Sequence, residues 1–290
     1  MTKRILCCSG GGAKGFAQIQ VLKKFEKEYG SLSEYYDLIC GSSVGAINGA
    51  MIASGKITMK KLENIYPDMI KKIFKRRFRI PLYDRKEFYK IFVDKIGIIK
   101  MNECKTKVQI TSLSLCDKRN HFFKSWTKDG EQLLVSEVAK SFAAPFYFGT
   151  FIDEEHKHVF FDGGMGVANI PVAYAIVEAQ LLWPKDNWHF DIVGCGFSDQ
   201  SIPFKKAKKY KVVRQLGQYF NLSDGGLARE QVRQEQIGAI QQLASTTDKI
   251  TFRYYDTVIP KKIDKLDGIK YLEQYKTFGQ KMAKQPLISG

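Results

Sequence analysis

The stretch "YDLICGSSVGAINGA", residues 36–50, decides the fold. It runs an apolar strand, "YDLIC", into a cluster of glycines and serines and starts a helix, expected over residues 44–53, with no loop between. Such a turn either packs backbone against backbone or lifts Ser43 into view for chemistry. Gly41, Ser42, Ser43, Val44 and Gly45 fit G-x-S-x-G. The two glycines remove side chains that would clash as strand turns sharply into helix, the construction of a nucleophile elbow. The Ser43 hydroxyl would then stand at the carboxyl edge of a sheet, beside a helix N-terminus whose dipole favours developing negative charge.

Outward from this turn, "KRILCCSGGG" reads as a buried strand over residues 4–8 ending in a glycine loop. A helix is expected over residues 16–29, with Ile19, Leu22 and Phe25 on one stripe and Gly30 as its stop. Strand, helix, strand, helix within fifty residues implies a parallel sheet with right-handed crossovers. A helical pattern follows over residues 58–73. Strands are expected at 107–116 and 121–126, joined by the turn "DKRN". Residues 135–148 read as a helix broken by Pro145. "HVFFDGG" (158–164) is a strand ending in a turn, a helix follows over 171–179, and "WHFDIVGCGF" (188–197) is a late core strand. Beyond residue 199 the pattern is mostly helical and polar, with one strand-like run, "KITFRYYD". The expectation is one α/β domain whose C-terminal portion, residues 201–290, is mostly helical and packs on the same domain.

The 290 residues are enough for an ample core, and 44% hydrophobic with 26% charged content is that of a globular protein. No run approaches the roughly 18 to 20 apolar residues of a membrane-spanning helix. The apolar run from Ile5 to Cys8 is too short for a signal peptide, so the reading is a cytosolic product with no cleaved leader. Six cysteines lack metal-ligand spacing and lie mostly in apolar runs, as buried free thiols do. Four histidines, none paired at helical spacing, argue against a structural zinc. The net charge of +16, from 46 Lys and Arg against 30 Asp and Glu, attracts polyanions, whether nucleic acid or an anionic membrane.

"GGGAKG", Gly10, Gly11, Gly12, Ala13, Lys14 and Gly15, matches the dinucleotide fingerprint G-x-G-x-x-G. A dinucleotide site also wants an acidic residue near the end of the second strand. That strand ends in Cys40 and Gly41, with Asp37 at its wrong end. Consecutive glycines at a helix start leave bare N–H groups that hold an anion, a standing phosphate or a transient oxyanion. The plain alternative is a tight turn needing positive φ.

A serine nucleophile needs a base. His189 opens a buried strand instead of ending one, and His156 and His158 flank the charged turn "DEEHKH". No histidine is placed for a triad. Asp162 ends a strand before Gly163 and Gly164, so its carboxylate can reach the same sheet edge as Ser43, although an Asp at a turn is commonly a turn former.

Together the glycine loop, the elbow and the Asp-Gly-Gly turn, in that order, resemble the patatin-like phospholipases. "SFAAPFYF" (141–148) and "DGGMGVANIPV" resemble further family stretches, and the likeness covers residues 3–200. It implies a three-layer fold with a mainly parallel central sheet flanked by helices, residues 1–200 forming the catalytic domain. It also implies a lipid acyl hydrolase acting on phospholipids or lysophospholipids through a Ser–Asp dyad: Ser43 as nucleophile, Asp162 as base. The oxyanion would sit in the Gly10–Gly15 loop, on N–H groups of Gly11 and Gly12 joined by Ala13, with Lys14 fixing the loop or meeting an anionic head group. No metal or other cofactor is implied. Ser9 stands where many members carry an acidic residue.

"KKIFKRRFRIPLY" (71–83) interleaves Lys71, Lys72, Lys75, Arg76, Arg77 and Arg79 with Phe74, Phe78 and other apolar residues. It reads as a contact for anionic lipid, giving a cytoplasmic protein peripheral to membranes, or as a solvated helix end whose apolar side joins the core. A second basic run, 203–214, has fewer apolar anchors and reads as solvated. No nucleic-acid module is present, so no nucleic acid is expected as a partner. Two other functions stand beside the hydrolase: a basic nucleotide- or nucleic-acid-binding protein using the glycine loop for phosphate, and a non-catalytic membrane-binding scaffold. Activator and oligomeric state are not legible.

Overall fold

The structure, a computed structural model, describes residues 1–198 and 227–290, together with residues 205, 208 and 209. Of the second basic run, 203–214, only Lys205, Lys208 and Lys209 are among the described residues, and the rest lies outside them. In chain order the elements are β1 (Thr2–Cys8), α1 (Gly15–Tyr29), α2 (Leu32–Tyr35), β2 (Leu38–Ser42), α3 (Val44–Ala53), α4 (Met59–Ile73) and α5 (Lys86–Ile96). There follow β3 (Lys107–Ser114), β4 (Asn120–Lys124), α6 (Leu134–Ser141), β5 (Phe151–Asp153), β6 (His158–Asp162), α7 (Val172–Leu182) and β7 (Asn187–Val193). The remaining described elements are α8 (Leu227–Thr246), β8 (Ile250–Tyr255), α9 (Leu272–Met282) and β9 (Ile288–Ser289).

The strands form one sheet in the order β5-β6-β3-β2-β1-β7-β8-β9, with β4 paired to β3. Its centre, β3-β2-β1-β7-β8, is parallel, and the outer strands are antiparallel. Side chains alternate through this buried centre. On β1, Leu6 and Cys8 join a core with α1, α3, α4, α5, α6 and α9, while Ile5 and Cys7 face a second core with α7 and α8. Helices thus cover both faces, and the fold is the expected three-layer α/β arrangement. The C-terminal portion is not only helical, because β8 and β9 extend the same sheet.

Local chemistry explains most of the boundaries. Phe16, Ile19, Leu22 and Phe25 bury one side of α1, and Gly30 ends it at φ 81°, where a side chain would strain. Thr58 caps α4 by accepting the Lys61 N–H at 3.2 Å. The helix expected over 135–148 stops at Ser141, well before Pro145. The Ser112 hydroxyl lies 2.8 Å from the Phe161 carbonyl and 3.0 Å from the Lys140 carbonyl at this helix end, and Ala144, preceding proline, is disfavoured in helical geometry. Helix α5, buried through Phe88, Phe92 and Ile96, has no counterpart in the sequence reading.

One edge of β3 positions the candidate site. Strand β2 runs with β3 as far as Ser42 opposite Thr111. Strand β6 runs against β3 and ends with Asp162 opposite Ser112. Since β4 occupies the other edge of β3 at these same residues, β2 and β6 approach end to end along one edge. The residues that end them, Ser42 and Asp162, become neighbours although 119 residues separate Asp162 from Ser43.

Candidate active site

Ser43 caps α3 with φ 53° and ψ −122°, left-handed backbone that a serine adopts only at a cost of about 1–3 kcal/mol. Its neighbours are glycine for steric reasons. A Cβ on Gly45 would stand 2.2 Å from the Cys8 carbonyl oxygen, and one on Gly41 would stand 2.5 Å from the Gly45 carbonyl. The elbow therefore needs bare backbone at both flanks. Ser43 is held from behind as well: its N–H donates to Ser141 Oγ at 2.9 Å, and that hydroxyl donates to the Thr111 carbonyl at 2.6 Å.

The Ser43 hydroxyl donates to Asp162 Oδ2 at 2.8 Å. The other carboxylate oxygen accepts the Gly164 N–H at 2.7 Å, which fixes the plane of the carboxylate. Gly163 allows the turn, because a Cβ there would lie 2.4 Å from the Thr111 carbonyl. Both Ser43 and Asp162 are 8% exposed, a water-poor setting in which a hydroxyl–carboxylate contact is strengthened. His189 is elsewhere. It pairs with Arg4 in the sheet, roughly 13 Å along the strand from Cys8, and contacts Thr251 at 2.8 Å.

The glycine loop runs beside Ser43: a Cβ on Gly10 would come 3.1 Å from Ser43 Cβ. Its six residues do not contribute equally. The Gly10 N–H donates to the Asn169 carbonyl at 3.0 Å, the Ala13 N–H to the Leu266 carbonyl at 2.7 Å, and the Lys14 N–H to the Gly11 carbonyl at 3.3 Å. The Gly15 N–H turns back to the Gly12 carbonyl. This leaves the Gly11 and Gly12 N–H groups, among the described residues, without a backbone acceptor. Ala13, expected as a third donor, is thus a correction. Lys14 is another: it is fully buried, ion-paired with Asp264, and 3.3 Å from the Gly196 carbonyl. It anchors the loop and does not meet a head group, nor is it free to bind a nucleotide phosphate.

Asp264 and Leu266 are missed by sequence reasoning, since nothing in the polar C-terminal third marks them as partners of a loop 250 residues away. Asn169 and Ser141 lie within motif stretches, yet their roles as braces for Gly10 and Ser43 emerge only from contacts.

A pocket opens over Ser43 and Asp162, bounded by Gly12 and Leu266 and walled by Ile47, Ile70, Ile73, Phe74, Phe142 and Phe148. Its apolar walls suit an acyl chain. Phe74 is a third correction. Read as a candidate membrane anchor, it is 7% exposed and packs edge-on against Tyr83 and Phe148 in this wall. Phe78 and Ile80 are fully or largely exposed, as is Phe146, whose carbonyl accepts the Leu82 N–H at 3.0 Å. Lys71, Lys72, Lys75, Arg76 and Arg79 are also exposed, while Arg77 is half-buried and paired with Asp84 at 3.2 Å. No helix among the described residues is long and apolar enough to cross a membrane.

A sequence model of the family described as patatin-like phospholipase matches residues 6–176. The chain is 29% identical to the cGAMP-activated phospholipase of Vibrio cholerae over 259 residues, covering 78% of this chain and 67% of that protein. It is 29% identical to a cGAMP-activated phospholipase of Escherichia coli over 198 residues, covering 60% of this chain and 55% of the relative. The chain thus spans between about half and two thirds of the length of these relatives. The crystal structure of VipD from Legionella pneumophila aligns over 95% of this chain and 66% of its own, with 11% identity and a TM-score of 0.44.

Proposed function

Because the chain belongs to the patatin-like phospholipase family, we propose that it hydrolyses fatty-acyl esters of phospholipids or lysophospholipids with Ser43 as nucleophile and Asp162 as base. The observation that carries this reading is the 2.8 Å contact from Ser43 Oγ to Asp162 Oδ2 beneath an apolar pocket. Ser43 Oγ attacks the ester carbonyl carbon while its proton passes to Asp162. The carbonyl oxygen, now negative, accepts hydrogen bonds from the Gly11 and Gly12 N–H groups in the loop before α1. Collapse expels the lysolipid or glycerol oxygen, which takes the proton from Asp162 and leaves an acyl-Ser43. Water, giving its proton to Asp162, attacks this ester; collapse breaks the bond to Ser43 Oγ, which takes that proton back, and the fatty acid leaves. An aspartate with an ordinary value of about 3.9 is a weak base, so the proton moves late, as Ser43 bonds to carbon.

The exposed Phe78, Ile80 and Phe146, together with the exposed Lys72, Lys75, Arg76 and Arg79, support docking on an anionic bilayer. The relatives' names support one further element, a nucleotide activator of the cGAMP kind.

Fatty-acid release from mixed anionic and zwitterionic liposomes, with and without cGAMP, tests the reading. Ser43→Ala and Asp162→Asn should each lower release by at least about 10³-fold with the fold intact. Release that survives Ser43→Ala contradicts the assignment.

A further inference from the structure

We propose that Asp117, His121 and His158 form a binding site for a first-row transition-metal dication such as Zn²⁺, at the tip of the β3–β4 hairpin. The sequence spaces its histidines in a way that offers no ligand pair, but the sheet changes their relations. Asp117 lies in the β3–β4 turn, His121 on β4 and His158 at the start of β6, on the two edges of β3. One ligand atom from each of the three lies within 4.8 Å of the others, and the imidazole rings stand 4.9 Å apart, centre to centre.

The hydrogen bonds around the cluster favour ligation over a surface ion pair alone. His158 Nδ1 is engaged by Ser114 Oγ at 2.9 Å, so its Nε2 is the nitrogen left for a metal. Ligating histidines are commonly oriented through the other ring nitrogen in this way. His121 Nε2 already meets Asp117 Oδ2 at 2.8 Å, placing a carboxylate oxygen and an imidazole nitrogen side by side. Tetrahedral ligands at about 2.0–2.1 Å from zinc sit about 3.4 Å apart, so modest side-chain rotation closes the set. Asp117 is exposed and both histidines are half-buried, which leaves room for that rotation. Two imidazoles and one carboxylate select Zn²⁺, Ni²⁺ or Cu²⁺ over Mg²⁺ and Ca²⁺, which prefer oxygen ligands. Three protein ligands leave a fourth position to water. A bound ion would tie the hairpin tip to the start of β6, the strand that ends in Asp162.

The test titrates the chelator-treated full chain with Zn²⁺ by calorimetry and with Co²⁺ by visible absorption. The expected result is one saturable equivalent, with Co²⁺ bands free of thiolate charge transfer. His121→Ala and His158→Ala should each weaken binding more than about tenfold, and Ser114→Ala by about tenfold through the lost ring orientation. Cys116→Ser, at an exposed neighbour, should leave binding unchanged. Thermal melts of the metal-free variants check that each is folded. The wild type failing to bind one equivalent overturns the proposal. So does binding that survives both histidine variants, or that vanishes with Cys116→Ser alone.

Discussion

Ser43 is held in left-handed backbone by contacts that leave almost no steric freedom, and the cost of that geometry is met by its neighbours. Gly45→Ala puts a methyl into the Cys8 carbonyl, so it should cost about 3 kcal/mol of stability and abolish release. Chemical denaturation beside the release assay separates the two effects. Ser141→Ala is subtler. It leaves the buried Ser43 N–H without its acceptor, which should cost about 1–3 kcal/mol and lower kcat more than it raises KM. A Ser141→Ala enzyme with unchanged kcat would mean the brace is dispensable. The same scale holds the ion pair of Lys14 with Asp264, both buried. Lys14→Met removes the counter-ion of a buried carboxylate and should cost about 3–5 kcal/mol, read as a lowered Tm.

Among the elements, β2 and β6 carry the central geometry, and α6 supports it through Ser141. Helix α6 also carries a buried carboxylate, Glu137, paired with Lys140 at 2.8 Å. Burial raises Glu137 from 4.5 to about 7 despite the attraction of Lys140. Between those values the folded protein keeps a proton that the unfolded chain has lost. Stability should therefore fall as pH rises from 4.5 to about 7, by on the order of 3 kcal/mol, and level off above. Glu137→Gln should flatten that slope in denaturation curves taken across the window; an unchanged slope assigns the pH dependence elsewhere. Elements with a clear period or a sharp stop were legible from the residues alone: α3 matches its expected bounds, and α1 ends at Gly30 as read. Helix α6 ends at Ser141, short of Pro145, and no glycine between Phe142 and Pro145 marks that end in the sequence.

At the scale of the whole molecule, three short motifs in the first 164 residues made the family legible and singled out Ser43 and Asp162, which the fold brings to 2.8 Å, because each motif is local. The clamp on the glycine loop was not. Asp264 and Leu266 reach it through the docking of the C-terminal segment, and no local pattern records a contact across 250 residues. The face around the pocket was half legible: its charge could be read, but not which aromatic residues point outward. The structure turns Phe74 in and Phe78 out. Phe78→Ser combined with Ile80→Ser should lower release from anionic liposomes about tenfold or more while sparing hydrolysis of a soluble short-chain ester. Equal losses on both substrates would place these residues in folding or chemistry instead of docking.

The central claim is that Ser43 is a nucleophile activated by Asp162, and covalent labelling tests it without knowledge of the natural lipid. The protein is treated with a fluorophosphonate and its peptides are mapped by mass spectrometry. A single adduct on Ser43, formed in the wild type and slowed at least about 10²-fold by Asp162→Asn, is the expected result. An adduct on another residue, or labelling of Ser43 at the wild-type rate in Asp162→Asn, would contradict the dyad.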